Sequence, residues 1–230
     1  MHALAIIPAR GGSKGLPGKN VKELAGKPLI VHTIEQAQDT RYVERIVVST
    51  DDTEIATIST QHGAEVVWRP AELAADASSS EDSLLHALAH LEQIDGYMPD
   101  IVAFLQCTSP IRTPDDIDSA IQMLTDQRLD SVLSVTSSHA FVWRQTANQL
   151  QSVNYDYRNR PRRQDREPEY VENGSIYVFR PWVLKQLNNR LGGQIGLYVM
   201  DYWSRFDVDS ADDFMMVEWI TNHPSIKPCV

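Results

Sequence analysis

The sequence predicts an α/β fold: a mostly parallel sheet with helices on both faces. Three observations predict it. Short apolar runs of strand length alternate with longer stretches of helical spacing through the first two-thirds of the 230 residues. A polar stretch, 141–172, then breaks the pattern, and the pattern resumes after it. The length suits one α/β domain with a proper core, so residues 1–230 read as a single domain with one excursion.

The elements follow in order. Residues 4–7 read as the first strand, and 28–38 as a helix. Residues 44–49 (ERIVVS) form the second strand, 53–61 a helix, and 65–68 a short third strand. Residues 81–93 carry Leu84, Leu85, Leu88 and Leu91 at helical spacing. A buried strand at 101–105, a helix at 115–126 and a strand at 131–135 come next. The stretch 141–172 is rich in Arg, Tyr, Asn and Gln and fits neither period, which marks a functional loop or interaction element. Strand 175–179, helix 182–188, strand 197–200 and a closing helix at 212–221 complete the chain.

Charge and composition bound the function. Net charge is −10, yet residues 1–27 carry five cations (Arg10, Lys14, Lys19, Lys22, Lys27) against Glu23, leaving −14 on the rest. An acidic surface argues against nucleic acid as a partner, whereas a local basic loop suits a compact anionic ligand. No apolar run approaches the ~20 residues of a membrane span, and no secretory signal is evident. Cys107 and Cys229 give neither a disulfide framework nor metal-ligand spacing. A cytoplasmic protein is expected. None of the seven histidines has metal spacing, and His32, His86 and His90 read as structural or surface residues. The tryptophans read as core or packing residues.

The segment 6–20, IIPARGGSKGLPGKN, is the most informative. An apolar run ends in Pro8 and feeds a loop with four glycines, Arg10, Lys14 and Lys19. Glycines let backbone amides turn inward to form an anion-binding concavity, and cations add charge-assisted bonds to phosphate oxygens. A Walker A motif fails twice, at Ser13 and at Asn20. The dinucleotide fingerprint fails because Gly11, Gly12, Gly15 and Gly18 lack its spacing. A plain surface loop would also carry scattered lysines, and Lys22 and Lys27 fit a solvated loop and a helix start.

Further features fall where strands end. Ligands of open parallel sheets sit outside the carboxyl ends of the strands, and Thr50-Asp51-Asp52, Arg69-Pro70 and Gln106-Cys107-Thr108-Ser109-Pro110 all follow strands. Asp207 and Asp209 alternate along an extended segment, so their carboxylates point the same way. Such a pair suits Mg²⁺, which takes one or two carboxylates plus substrate phosphates. Asp209 or Ser210 could equally cap the last helix, whose dipole Asp212 and Asp213 would serve. Arg160, Arg162 and Arg163, then Tyr170 and Asn173-Gly174-Ser175, form a third block. Arginine grips carboxylates bidentately, although nearby acids nearly cancel the five arginines here. Glu172 and the 188–193 segment carry no assignment.

The phosphate loop resembles the nucleotide-binding signature of sugar nucleotidyltransferases, and Lys-Gly-Leu-Pro-Gly-Lys-Asn at 14–20 resembles the N-acylneuraminate (sialic acid) cytidylyltransferases. Enzymes activating the eight-carbon keto-sugar have a related loop, usually with Pro in place of Asn20. The resemblance runs from Ile6 to the last helix and implies a Rossmann-like nucleotidyltransferase fold. It implies CTP and a nine-carbon keto-sugar acid as substrates, Mg²⁺ as cofactor, and a homodimer in which 141–172 pairs with a second subunit and completes its neighbour's sugar site. Arg10, Gly11, Ser13, Lys14, Lys19 and Asn20 are then implied to bind the nucleotide, with Arg10 and Lys19 neutralising its phosphates. The stretch from Arg69 to the serines beginning at Ser78, which also includes Asp76, is implied to cover the cytosine, largely through backbone groups, with Arg69 fitting a base or phosphate contact. Asp207 and Asp209 become the metal pair, and Arg10, Lys19 and Asp209 the catalytic set. Leu105-Gln106-Cys107-Thr108-Ser109-Pro110-Ile111-Arg112 resembles the family's Leu-Gln-Pro-Thr-Ser-Pro-Leu-Arg, with Cys107 replacing a common proline. Gln106, Asn173 and either Arg162 or Arg163 are implied to hold the sugar. N-acetylneuraminate is the first expectation, with legionaminate, pseudaminate and the deaminated sugar as alternatives. A nucleotide-binding regulator that has lost turnover is the expectation from another class.

Overall fold

The computed structural model describes residues 2–75 and 78–223; Asp76 and Cys229 lie outside that set. Its centre is a seven-stranded sheet in the order β11-β7-β10-β6-β1-β4-β5. The strands are β1 (Ala3–Pro8), β4 (Val43–Thr50), β5 (Glu65–Trp68), β6 (Ile101–Leu105), β7 (Ser131–Ser138), β10 (Glu169–Phe179) and β11 (Ile195–Met200). Two small ribbons stand apart from it: β2 (Glu23–Leu24) with β3 (Lys27–Pro28), and β8 (Trp143–Gln145) with β9 (Leu150–Ser152). β1 runs parallel to β4 and β6, β4 to β5, and β7 to β11. Only β10 runs against its neighbours, antiparallel to both β6 and β7.

Helices cover both faces, as the sequence predicts. α1 (Leu29–Gln38) and α4 (Pro114–Asp126) bury Ile30, Val31, Ile34, Ile117, Ile121 and Leu124 on one face. α3 (Ser80–Asp95) and α5 (Pro181–Leu187) bury Leu84, Leu88, Leu91 and Leu184 on the other. α6 (Ala211–Asn222) closes over the β2–β3 ribbon in a third cluster with Leu24, Val208, Phe214 and Val217. Caps fix where helices begin: Asp52 accepts from Glu54 and Ile55 at the head of α2 (Thr53–Gln61), and Ser79, Thr113 and Ser210 each complete a capping box.

The excursion holds together without an apolar periodicity. Arg160 and Arg166 lie over the Phe141 ring at 4.1 and 4.5 Å, and Tyr155 packs edge-on at 4.4 Å. Arg166 also pairs with Glu169. Cation–π and charge contacts thus do what burial does elsewhere. The tryptophans differ from expectation. Trp68, Trp143, Trp182 and Trp219 are exposed, and Trp203 packs partly buried against the α6 cluster. Their positions explain it: Trp68 is on an edge strand, Trp143 on a free ribbon, and Trp219 on the outer side of a terminal helix.

Candidate active site

The phosphate loop is held by its two neighbours. Beyond β1, the Ala9 amide donates to the Ser49 carbonyl at 2.9 Å and the Gly11 amide to the Asp51 carboxylate at 3.1 Å. At Gly15 a Cβ would lie 2.1 Å from the Asp209 carbonyl oxygen, so the loop can pass that segment only as glycine. Gly18, at φ +67°, then turns the chain into a short 3₁₀ turn, Lys19–Val21. That turn aims Lys19 across the site. Its ammonium donates to the Val208 carbonyl and to Asp209 Oδ1, each at 2.8 Å. The side chain is 14% exposed, whereas Asp209's is 72% exposed. One lysine therefore joins the two motifs of the chain that lie furthest apart.

Around this contact is a cavity of about 510 Å³ at the carboxyl edge of β1 and β6. Among the described residues Arg10, Lys14, Lys19 and Arg69 line it, against a single carboxylate, Asp209. Ser13, Asn20, Ser78 and Gln106 add polar groups, and Phe104 an apolar wall. Such a surface favours a polyanion. Gly11 is not in the wall, and its amide donates a hydrogen bond to Asp51, which does not line the cavity either. Asn20 is buried: its Nδ2 donates to the Arg10 carbonyl at 3.0 Å and its Oδ1 accepts from the Cys107 thiol at 3.2 Å. Burial pushes the Cys107 thiol up to about 11, which fits a packing role and not a nucleophile. Arg69 is also buried, its guanidinium donating to Ser49 Oγ at 3.2 Å and to the Ser49 carbonyl at 2.7 Å. Burial lowers its pKa, with Asp51 opposing and Arg10 reinforcing the shift. Ser78 Oγ donates to the Glu72 carbonyl at 2.7 Å.

The carboxylate pair divides between two environments. Asp209 faces the cavity, and Asp207 stands outside the wall. Partial burial, then the neighbouring Asp209 charge, raises the Asp207 pKa. Ser210, not Asp209, caps α6, accepting from the Asp213 amide at 3.2 Å. Asp209 is thereby left for Lys19 and the cavity.

The expected sugar residues scatter. Gln106 lines the cavity, but Arg162 and Arg163 do not. Arg162 is 75% exposed and paired with Asp165 at 2.8 Å. Arg163 lines a second cavity of about 510 Å³ with Ser137, Tyr202 and Arg205, at the carboxyl ends of β7 and β11. Asn173 is buried and its amide is fully engaged. Oδ1 accepts from Ser134 Oγ at 2.6 Å and from the Ser175 amide at 3.2 Å, while Nδ2 donates to Ser204 Oγ at 3.0 Å. Sequence reasoning gave no role to Phe104, which reads only as a buried strand residue, or to Arg112, whose side-chain partners other than Gln106 all lie far away in sequence.

This sheet, with a cation-lined cavity at its carboxyl edge, is the architecture of a nucleotidyltransferase. The chain belongs to the cytidylyltransferase family, whose profile matches residues 4–201. Among relatives, the N-acylneuraminate cytidylyltransferase of Oncorhynchus mykiss is 36% identical over 214 residues, 90% of this chain and 48% of that protein. The CMP-N,N'-diacetyllegionaminic acid synthase of Legionella pneumophila is 40% identical over 182 residues, 77% of this chain and 78% of that protein. The chain thus spans about half the length of the N-acylneuraminate cytidylyltransferase it matches. A solved CMP:2-keto-3-deoxy-manno-octonic acid synthetase complexed with CTP shares the fold at a TM-score of 0.71 and 21% identity, covering 96% of this chain and 98% of that one.

Proposed function

We propose that this chain joins CTP to a nine-carbon 2-keto-3-deoxy sugar acid, with N-acetylneuraminate the first candidate. The observation that carries the reading is the cation-lined cavity in which Lys19 bridges the phosphate loop to Asp209. In the reaction the anomeric hydroxyl of the sugar forms a bond to the α-phosphorus of CTP, the bond to pyrophosphate breaks, and the hydroxyl proton leaves to solvent or a carboxylate. Negative charge grows on the phosphate oxygens, so stabilisation by fixed cations is what the site must supply. Arg10, Lys14 and Lys19 neutralise the triphosphate, and Asn20 fixes the backbone of Arg10 beneath it. Arg69 and Ser78 also line the cavity; their stretch covers the base in this reading, with Arg69 contacting base or phosphate. Gln106 offers its amide to the acceptor sugar.

A divalent cation fits the donors present. The carboxyl of Asp207 is disfavoured as an anion by partial burial and by Asp209, and a cation relieves both causes. Among the described residues no third acid, histidine or cysteine completes a protein-only metal cluster. Two carboxylates suit Mg²⁺, which takes one or two and completes its shell from phosphates and water. Asp207 and Asp209 would hold it, and when bound it supplies positive charge at the triphosphate.

Arg162 and Arg163 remain the proposed grips for the sugar's C1 carboxylate, acting in a homodimer because neither lines the cavity of its own chain. The name of the Legionella relative favours legionaminate as the second candidate. We also propose a cytoplasmic location. No helix among the described residues is long and apolar enough to cross a membrane.

The test is pyrophosphate release from CTP and Mg²⁺ with N-acetylneuraminate, its deaminated analogue, legionaminate, pseudaminate and the eight-carbon acid. Turnover with one nine-carbon sugar is expected. Preference for the eight-carbon acid would overturn the sugar class, and CTP binding without turnover on any sugar would favour a regulator.

A further inference from the structure

Arg112 is 1% exposed and carries a full guanidinium into the interior. Its Nη1 donates to the Gln106 carbonyl at 3.1 Å, the Ser175 carbonyl at 2.8 Å and Ser175 Oγ at 3.1 Å. Nη2 donates to Thr33 Oγ1 at 2.6 Å, and Nε to Gln36 Oε1 at 3.1 Å. Gln36 in turn donates to the carbonyls of Pro110 and Arg112, both at 2.9 Å. Every partner is neutral; among the described residues no carboxylate pairs with this guanidinium. Burial lowers its pKa to about 10, so it stays charged near neutrality. A buried charge held only by dipoles is costly in a fold. Packing alone does not explain it, since an aliphatic side chain would fill the space at lower cost.

The partners show what the guanidinium fixes. They bracket the loop between β6 and α4, at Gln106 where it begins and at Pro110 and Arg112 where it ends. Gln106 reaches the cavity from that loop, together with Cys107 and Thr108, and its amide passes close to Gly174, where a Cβ would lie 3.5 Å from Gln106 Oε1. Ser175, next to Gly174, is itself bonded to Arg112. One guanidinium therefore fixes both walls of the slot that holds the Gln106 side chain.

We infer that Arg112 is a positioning residue: it sets the Gln106 amide at the angle from which it engages the acceptor sugar acid. This rests on the activity proposed above. Lysine at 112 would keep the charge but lose the planar fork that reaches three elements at once. Arg112→Lys should therefore raise KM for the sugar acid by about fivefold or more, the scale of coupling between residues in one network. Its CTP dissociation constant, measured calorimetrically without sugar, should stay within about twofold of the unsubstituted value.

The deciding measurement is a double-mutant cycle with Gln106→Ala. If Arg112 acts through Gln106, Arg112→Lys in the Gln106→Ala background should change the sugar KM by less than about twofold. Equal costs in both backgrounds, or an equal loss of CTP affinity, would show a merely structural role and overturn the inference. Should Arg112→Lys fail to fold, Thr33→Val removes one buried acceptor with little change of shape, at a residue that does not line the cavity. It should raise the sugar KM by about two- to threefold with CTP affinity unchanged, and an unchanged sugar KM would overturn the inference. Absence of turnover in the unsubstituted protein would sink the activity reading and this inference together, whereas turnover with an additive cycle would sink the inference alone.

Discussion

Lys19 spans the site in a way that makes its loss informative. Its ammonium ties the phosphate loop to the Val208-Asp209 segment. Because Asp209 is largely exposed, the ion pair itself contributes little to stability. On the proposed reaction its catalytic worth should be far larger, since the ammonium would face the developing phosphate charge. Lys19→Ala should lower kcat/KM for CTP by about 10²–10³-fold, the usual cost of removing one preorganised donor, while circular dichroism stays native. Near wild-type turnover would remove Lys19 from the catalytic set. Cys107 should behave in the opposite sense, as a silent thiol. With its pKa raised to about 11 from 9.0, the thiolate fraction at pH 8 falls about a hundredfold below that of an unfolded chain. In a Cys229→Ser protein, iodoacetamide should label Cys107 at least about a hundred times more slowly in buffer than in urea, as read by mass spectrometry. Comparable rates would mean that the thiol is open to the cavity and ionised.

At the level of elements, the crowded approach of the phosphate loop to the Asp209 backbone sets a sharp test. Gly15→Ala would place a Cβ 2.1 Å from a carbonyl oxygen on a neighbouring segment, so one of the two must move. We expect the CTP KM to rise at least about tenfold, as small misplacements of a catalytic constellation do, with the melting temperature within a few degrees. An unchanged KM would mean that the loop does not take this path when CTP binds. The sequence made such elements legible where a run of one period met a clear breaker. The strand at 65–68, the strand at 101–105 and the helix at 53–61 end where the structure ends them. β10 was legible only in its buried half. Its first residues, Glu169 to Glu172, are mostly exposed and pair with β7 through the backbone, which leaves no apolar signature. Nor does periodicity encode strand direction, so the antiparallel insertion of β10 had to come from the structure. The site divides the same way. Lys19, Asn20 and Gln106 sit beside glycines and strand ends, which mark them locally, whereas the engagement of Asn173 and the knot at Arg112 depend on partners dozens of residues away.

For the whole molecule, Arg162 and Arg163 stand outside the cavity that Lys19 lines, and the dimer proposed above makes a test of that separation. The excursion exposes Val142, Trp143, Leu150, Val153, Tyr157, Tyr170 and Val171, and a surface so rich in large apolar groups is typical of a protein interface. If a second copy docks there, its Arg162 and Arg163 can serve the neighbour's sugar. Light scattering should then report a dimer. Mixing tests the sharing itself. Lys19→Ala subunits and Arg162→Ala/Arg163→Ala subunits should each be nearly inactive alone. In a mixed dimer, the subunit with an intact Lys19 faces a partner with intact arginines, so one of the two sites is whole. Random reassembly of equal amounts gives heterodimers in half the population, and turnover should return to roughly a quarter of the wild-type value. Were the arginines to act within their own chain, neither site of the heterodimer would be whole and no activity would return.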